Sequence, residues 1–355
     1  MARITFLSSF VKRWTVWEYL PSWAANIPVY GFWLWFSLRA RHPFFFSNVN
    51  PDIPLGGALG ESKSDILRLL PPEIVPEWVL VSPATPFEEV QAALEKANIG
   101  FPMMAKPDIG ERGFLVKKME TPAELRAYLE QWPVPFILQK FLAQPREASV
   151  LFYRFPGPEG RFGISSICLK EFMRVRGDGV STIRALMARR TRSAFQLARF
   201  EQDFPEVLNA IPGKGEERLL EPVGNHARGT KFLNGDHLLD AQLVASFASI
   251  CTHLTGVLFG RFDLKYEDET ALRLGKFQTM ELNGVFAEPA HIYDPSHGMW
   301  RAYQDLWRHW RLLFLLHRAQ KKIGVQPTSL GEIRGFSRNR ANFFKNICFI
   351  CLISS

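Results

Sequence analysis

Gly260-Arg261-Phe262-Asp263-Leu264-Lys265-Tyr266 and, downstream, Met280-Glu281-Leu282-Asn283 carry the clearest chemical pattern in the chain. Both stretches alternate apolar and polar residues, which is the period of a β-strand. On a strand, Arg261 and Asp263 share one face, and Phe262 and Leu264 take the other. Glu281 and Asn283 likewise share a face, opposite Met280 and Leu282. If the two strands are neighbours, a cation, two carboxylates and an amide oxygen meet on one patch. An all-oxygen ligand set of this kind suits Mg²⁺, or Mn²⁺ in its place, together with the phosphates it bridges. Arg261 then stands where negative charge on a transferring phosphoryl group needs an opposite charge. The plainer alternative is a salt-bridge cluster on a half-buried sheet.

Upstream, Lys106-Pro107-Asp108-Ile109-Gly110-Glu111-Arg112-Gly113 places a lysine at the end of an apolar run and before a glycine-containing turn. Such a turn holds phosphates through charge and backbone N–H groups. The G-x-x-x-x-G-K-[ST] pattern is absent, so the chain is not a P-loop nucleotidase. A simple hairpin turn is the alternative.

Between and around these stretches the periodicity switches repeatedly. Helices are predicted over 62–70, stopped by Pro71-Pro72, and over 87–97, 122–131 and 242–255. Strands are predicted over 102–105, 113–117, 136–141, 148–155, 162–169, 257–266 and 276–282. Mixed elements without repeats indicate an α+β body of two lobes.

Taken in order, the segments from Lys63 to Asp294 resemble the ATP-grasp superfamily, in particular its D-alanine–D-alanine ligase-like and cyanophycin-synthetase-like carboxylate–amine ligases. The resemblance covers about two-thirds of the chain. Lys63, in ESKSDILRLLP, looks like the first nucleotide-binding lysine of those ligases. Lys106 resembles the lysine before their flexible glycine loop, which here holds Gly110 and Gly113. FILQKFLAQPREASV looks like the segment lining the adenine pocket, which implies a hinge at Gln139, Lys140, Phe141 and Leu142 and a ribose contact at Glu147. VRGDGVSTIRALM resembles their G-D-G turn and following helix. GRFDLKYED and MELNGVFAEP match the metal signature, which implies Asp263, Glu281 and Asn283 as Mg²⁺ ligands and Arg261 as a catalytic residue. One departure is Gln139, where the hinge residue is commonly an acid; its amide oxygen can still accept from the adenine amino group. Asn225, Arg228 and Lys231, in PVGNHARGTKF, are the candidates for reaching the γ-phosphate or the acyl group, with a basic surface loop as the alternative. Glu288 is a candidate for orienting the incoming group.

The resemblance implies an ATP-grasp fold, with residues 61–100 preceding a catalytic body at 101–298. It implies an ATP-dependent ligase that activates a carboxylate as an acyl phosphate for an amine. The competing expectation is a catalytically silent ATP-binding scaffold at a membrane surface.

The flanks have a different character. Residues 1–60 hold Trp14, Trp17, Trp23, Tyr30, Trp33, Trp35 and Phe44–Phe46 among Arg3, Lys12, Arg13, Arg39 and Arg41. Aromatic rings with basic neighbours suit a membrane–water interface, which is the expectation, with packing on the protein's own core as the alternative. Residues 299–322 are predicted to form a basic, aromatic helix within a C-terminal region at 299–355. No apolar run is long enough for a spanning helix. Net charge is +8, which favours anionic partners. No nucleic-acid motif accompanies that charge. The four cysteines do not form a disulfide framework in a chain of this length, and Cys348 and Cys351 alone are a weak metal motif. The expected place is the cytoplasm, at the inner face of a membrane. The expected partners are a small or lipid-like carboxylate, an amine acceptor and anionic lipid.

Overall fold

A computed structural model of the chain describes residues 15–58, 61–110, 113, 115–157 and 160–335. The C-x-x-C pair, the first fourteen residues, Glu111 and Arg112 lie outside the described residues.

The smaller lobe is built on a four-stranded sheet, with β1 (Trp78–Val81), β2 (Met103–Pro107), β3 (Lys117–Met119) and β4 (Phe136–Lys140) in the order β1-β4-β2-β3. All its pairings are antiparallel. The third strand starts at Lys117, later than its sequence suggests, because the glycine-containing loop occupies the preceding residues and Gly113 takes a left-handed conformation. Helices Phe87–Lys96 and Pro122–Gln131 bury Val90, Leu94 and Leu125 against this sheet. The second is capped by Thr121, whose hydroxyl accepts the Glu124 N–H at 3.2 Å.

The larger lobe carries a five-stranded antiparallel sheet. Its strands are β5 (Arg146–Arg154), β6 (Phe162–Glu171), β9 (Lys231–Asn234), β10 (Phe259–Tyr266) and β11 (Phe277–Asn283), in the order β11-β10-β5-β6-β9. One face is a continuous core: Val150, Ile167, Phe262, Leu264 and Phe277 pack under the helix Ala241–Cys251 through Leu243 and Phe247. The opposite face takes the polar half of each alternation and forms the floor of the site. A short ribbon, β7 (Arg174–Arg176) with β8 (Glu217–Leu219), holds an insertion of short helices whose first, Ile183–Ala188, is capped by Thr182. Among the described residues the chain is thus a mixed α+β protein with two larger antiparallel sheets and the two-stranded ribbon. Cys168 and Cys251 are buried free thiols.

The N-terminal arm packs in part on the protein's own core, the alternative to a membrane interface. Helix α1 (Ile27–Ala40) lies along helix α2 (Met299–Lys322), where Phe36 meets Trp307 at 4.9 Å and Phe314 at 5.3 Å between ring centroids. Phe45, Phe46 and Val49 are buried with Phe259, Val285 and Leu313 in one apolar cluster. Burying each such ring contributes about 1.5–3 kcal/mol. Asn50 then pins the arm to β10, accepting from the Leu258 and Phe259 amides at 2.9 and 3.0 Å and donating to the Phe259 carbonyl at 2.8 Å. Gly57 has a positive φ, and a Cβ there would lie 2.7 Å from Gly284 Cα, so only glycine lets the arm reach the exit of β11. Part of the arm still faces outward. Trp23, Ile27, Tyr30, Leu34 and Leu38 recur at helical spacing and are each at least half exposed.

Candidate nucleotide and metal site

The register of the large sheet brings the charged residues together. Asp263 lies opposite Glu281, and Arg261 opposite Asn283. On the other side of β10, Asp263 lies opposite Ser149 and Lys265 opposite Glu147. Paired residues in an antiparallel ladder point to the same side, so this polar set occupies one sheet face.

Asp263 is the hub. Its Oδ1 accepts from Ser149 Oγ and from Lys170 Nζ at 3.3 Å. Its Oδ2 accepts from Asn283 Nδ2 at 2.9 Å and Arg261 Nη2 at 3.2 Å. Burial alone would raise its pKa; Arg261, Lys170 and Ser149 outweigh that and hold the carboxyl at about 2. Arg261 also donates to the Glu288 carbonyl at 3.1 Å. Lys170 is itself buried and pairs with Glu147 at 2.8 Å, and the two carboxylates push its pKa up against the desolvation that would lower it.

The smaller lobe supplies two lysines. Lys106 Nζ crosses the cleft to the Met280 carbonyl on β11 at 2.8 Å and also donates to Gln139 Oε1 at 2.8 Å. Burial lowers its pKa to about 8, Glu281 opposing and Lys63 adding to the shift. Lys63 opens the helix Lys63–Leu69 and donates to the Gly110 carbonyl at 2.5 Å. The Ser64 N–H is held by Asp108 at 2.8 Å, which ties that helix to the end of β2. Arg228 reaches over the same loop and donates to the Gly113 carbonyl at 3.1 Å.

Lys63, Lys106, Gln139, Gly110, Gly113, Arg228, Arg261, Asp263, Glu281 and Asn283 therefore surround one cleft between the sheets. Lys140, Phe141 and Leu142 connect β4 to β5 across it, with Lys140 paired to Glu77 at 3.1 Å and Phe141 under Lys118. Several residues depart from expectation. Lys231 pairs with the exposed Glu171 at 3.5 Å, and the β6–β9 register turns it to the face opposite Lys170. Asn225 caps a short helical turn, accepting from the Ala227 N–H at 2.8 Å. The Glu147 carboxylate belongs to Lys170 and lies under Gly224, rather than open to a ribose. Gln139 gives its amide oxygen to Lys106, so the group it leaves over is the amide N–H₂. Glu288 accepts from the Tyr293 hydroxyl at 2.9 Å through its carboxylate, and only its backbone carbonyl takes Arg261.

Three participants are not evident from the motifs. Lys170 stands in the apolar run GISSICLKEF, and a charged residue at the end of a strand usually reads as surface. Its spacing of two from Cys168 puts it on the site face. Ser149 is found the same way, two residues from Glu147. His309, on α2, lies close enough to Arg261 to feel its charge; burial first, then Arg261, lowers its pKa to about 3, so it is a neutral ring.

The face suits both ligands. Gln139 Nε2 and Arg261 Nε are buried donors with no protein partner, which fits an anionic ligand such as a polyphosphate. The donor set of Asp263, Glu281 and Asn283 is oxygen only, as a hard divalent cation requires.

No family model matches the sequence, and no curated protein matches it. Among solved structures, the chain is similar to the D-alanine–D-alanine ligase of Bacillus anthracis (14% identity over 74% of this chain and 69% of that one, TM-score 0.40). It is also similar to the VanG D-Ala:D-Ser ligase of Enterococcus faecalis (15% identity, 72% and 61% covered, TM-score 0.40). A third likeness is the D-alanine–D-alanine ligase of Coxiella burnetii (10% identity, 76% and 62% covered, TM-score 0.42). Identities and scores this low carry no weight for chemistry, which has to be read from this chain's own side chains.

Proposed function

We propose that the chain is an ATP-grasp ligase that activates a carboxylate with ATP for attack by an amine. The observation that carries this reading is the meeting of Lys106 from one sheet with Arg261, Asp263, Glu281 and Asn283 on the other. That arrangement places cations and metal-type oxygen ligands around a cleft that has unpartnered donors. A salt-bridge cluster built only for stability would satisfy its own members. Here Arg261 Nε and Gln139 Nε2 are left over.

In this reading Lys63 and Lys106 hold the phosphates of ATP, and Asp263, Glu281 and Asn283 hold Mg²⁺ or Mn²⁺. The bound cation supplies neutralisation of phosphate charge. Arg261 lies where it offsets charge on the transferring group. A carboxylate oxygen attacks the γ-phosphorus, and the bond from that phosphorus to the bridging oxygen breaks, releasing ADP. An amine then attacks the acyl carbon and inorganic phosphate leaves. The nitrogen loses a proton, for which the Glu288 carboxylate is the candidate acceptor. Lys170 acts through Asp263, fixing its Oδ1 while Asn283 and Arg261 orient Oδ2. Arg228 is a further cation at the phosphates and holds Gly113 through that residue's carbonyl.

The test is ATP turnover with hydroxylamine and pools of carboxylic acids. Metal-dependent hydroxamate and ADP, both lost in Asp263→Ala and Glu281→Ala, are the expected outcome. ATP bound tightly with no hydroxamate from any pool would instead identify a silent scaffold.

A peripheral position on an anionic membrane is the second part of the proposal. Helix α1 is apolar on both sides: Val29 and Phe36 face the body, while Tyr30, Leu34 and Leu38 face out. A helix apolar all round normally has cover on all sides. Exposed Arg39 and Arg41 end this helix, and Arg301, Arg308 and Arg311 lie exposed on the adjacent α2. That charge suits anionic headgroups beside an apolar insertion. No helix among the described residues is long and apolar enough to cross a membrane. Sedimentation with vesicles containing phosphatidylserine tests the idea; a protein that stays in the supernatant at low salt sinks it.

A further inference from the structure

A second cluster of ligand-type side chains lies outside the nucleotide cleft. His291 sits on the short helical turn Ala290–Tyr293, just after Glu288. His297 follows before α2 begins, and Asp305 is on α2 itself. The two ring nitrogens Nε2 approach one carboxylate oxygen, Asp305 Oδ2, at 3.3 Å from His291 and 2.8 Å from His297. All three ligand atoms lie within 4.8 Å of one another. Three ligands about 2.0–2.1 Å from a tetrahedral ion stand roughly 3.4 Å apart, so these atoms already lie near three corners of such a site.

The surroundings fit as well. A metal-bound imidazole characteristically uses its second nitrogen on a polar partner, which fixes tautomer and ring direction. His291 Nδ1 lies 2.7 Å from Ser166 Oγ, a buried hydroxyl on β6. With the metal on Nε2, Nδ1 carries the proton and donates it to that hydroxyl, which can accept as readily as donate. The other oxygen of Asp305 is taken by Arg308 at 2.7 Å, leaving Oδ2 for the ion.

We propose that His291, His297 and Asp305 bind one zinc-class divalent ion, with water completing a tetrahedron. Two imidazoles with a carboxylate select Zn²⁺ or Co²⁺ over Mg²⁺, which prefers oxygen ligands alone. The ion ties the turn after β11 to helix α2. That turn carries the Glu288 carbonyl on which Arg261 rests, so the site acts as a brace for Arg261 and is separate from the cation proposed at Asp263. In the metal-free protein the same geometry is held by two N–H donors on one oxygen.

The experiment is titration of the dialysed full-length protein with Co²⁺, read by the visible absorption of tetrahedral cobalt, with Zn²⁺ as competitor. One equivalent of Co²⁺ giving tetrahedral bands, displaced by one equivalent of Zn²⁺, is expected. His297→Ala and Asp305→Asn should each lower the affinity by ~100-fold or more, and Ser166→Ala by roughly 10-fold. Asp263→Ala should leave the cobalt spectrum unchanged, which separates this site from the nucleotide cation. Circular dichroism confirms that each variant is folded. Absence of tetrahedral bands, or the same bands and affinity in folded His297→Ala, overturns the proposal.

Discussion

Two surfaces of this molecule break the usual division of apolar inside and polar outside, in opposite directions. The inner face of the larger sheet buries charge: Asp263 on β10, Lys170 on β6 and Glu147 on β5 are almost without solvent contact. The outer face of α1 does the reverse and exposes Ile27, Tyr30, Leu34 and Leu38. In the first case the cost is largely offset from within, since each buried charge has an opposite charge within hydrogen-bonding distance. In the second, the outward side chains lie uncovered in the structure. Local departures of either kind tend to mark function rather than stability. The proposed function reads the first as a site for a small ligand and the second as a face for an extended surface.

Removing the hub of the buried face should give the largest effect. Asp263→Ala leaves Arg261 without its carboxylate and Lys170 with Glu147 alone, a loss of roughly 3–5 kcal/mol. Asp263→Asn keeps the shape, and should still reduce ATP-dependent turnover by about 100-fold or more. Denaturation and turnover measured together separate the two contributions. Wild-type stability should fall on acidification with a matching sign. A depressed carboxyl contributes fully above its ordinary pKa of 3.8, and that contribution is lost as pH falls toward about 2.

Phe45→Ala tests the arm's inner side. Phe45 is fully buried between α2 and Phe46, so the substitution should cost about 3–5 kcal/mol in a denaturant titration. ATP affinity of the folded variant should stay near that of wild type, because the ring touches no residue of the cleft.

A smaller effect is expected from pH. Lys106 loses its proton near pH 8 in the free protein. The neutral amine attracts phosphate less, so kcat/KM for ATP should decline as pH rises through that value, by up to tenfold per unit. Lys106→Arg keeps its charge at any pH used and should flatten that limb. A limb unchanged in Lys106→Arg would assign it to another group.

The least change in stability is expected on the outer side of α1. Tyr30→Ser with Leu34→Ser should shift the unfolding free energy by no more than roughly 0.5 kcal/mol each. Binding to anionic vesicles should fall severalfold. An equal loss from Phe45→Ala under folding conditions would mean that the arm's packing, not its exposed stripe, governs attachment.

The contrast between these surfaces also explains what could be read from the sequence. Arg261, Asp263, Glu281 and Asn283 were legible because a strand has a strict period of two, so residue type and direction are read together. Strand pairing then had only one sensible neighbour to supply. The arm gave composition without a dominant period: its rings at Trp17, Trp33, Phe36 and Phe45 suit a core and a lipid interface equally. Which rings faced inward depended on α2, more than two hundred and fifty residues away in the chain. Lys231 and Lys170 show the same limit at the scale of one residue. Both are lysines near the ends of strands, and only the β6–β9 register turns one to the cleft and the other away. Glu147 lies one residue before the strand predicted at 148–155, whereas β5 begins at Arg146, and its partner Lys170 comes from a different strand that local sequence does not identify. The histidine–aspartate cluster joins a turn to a helix, and its spacing of six and eight residues matches no common metal motif.

The central claim is transfer of the γ-phosphoryl group to a carboxylate at the face holding Asp263 and Arg261. It is tested most directly by following the oxygen. A carboxylic acid that supports hydroxamate formation is labelled with ¹⁸O in its carboxylate, and the phosphate released with ADP is examined by ³¹P NMR in the presence of the amine. One labelled oxygen in each inorganic phosphate, formed only with Mg²⁺ and lost in Asp263→Asn, is the predicted result. Phosphate carrying no label, or label appearing in AMP instead, would contradict it.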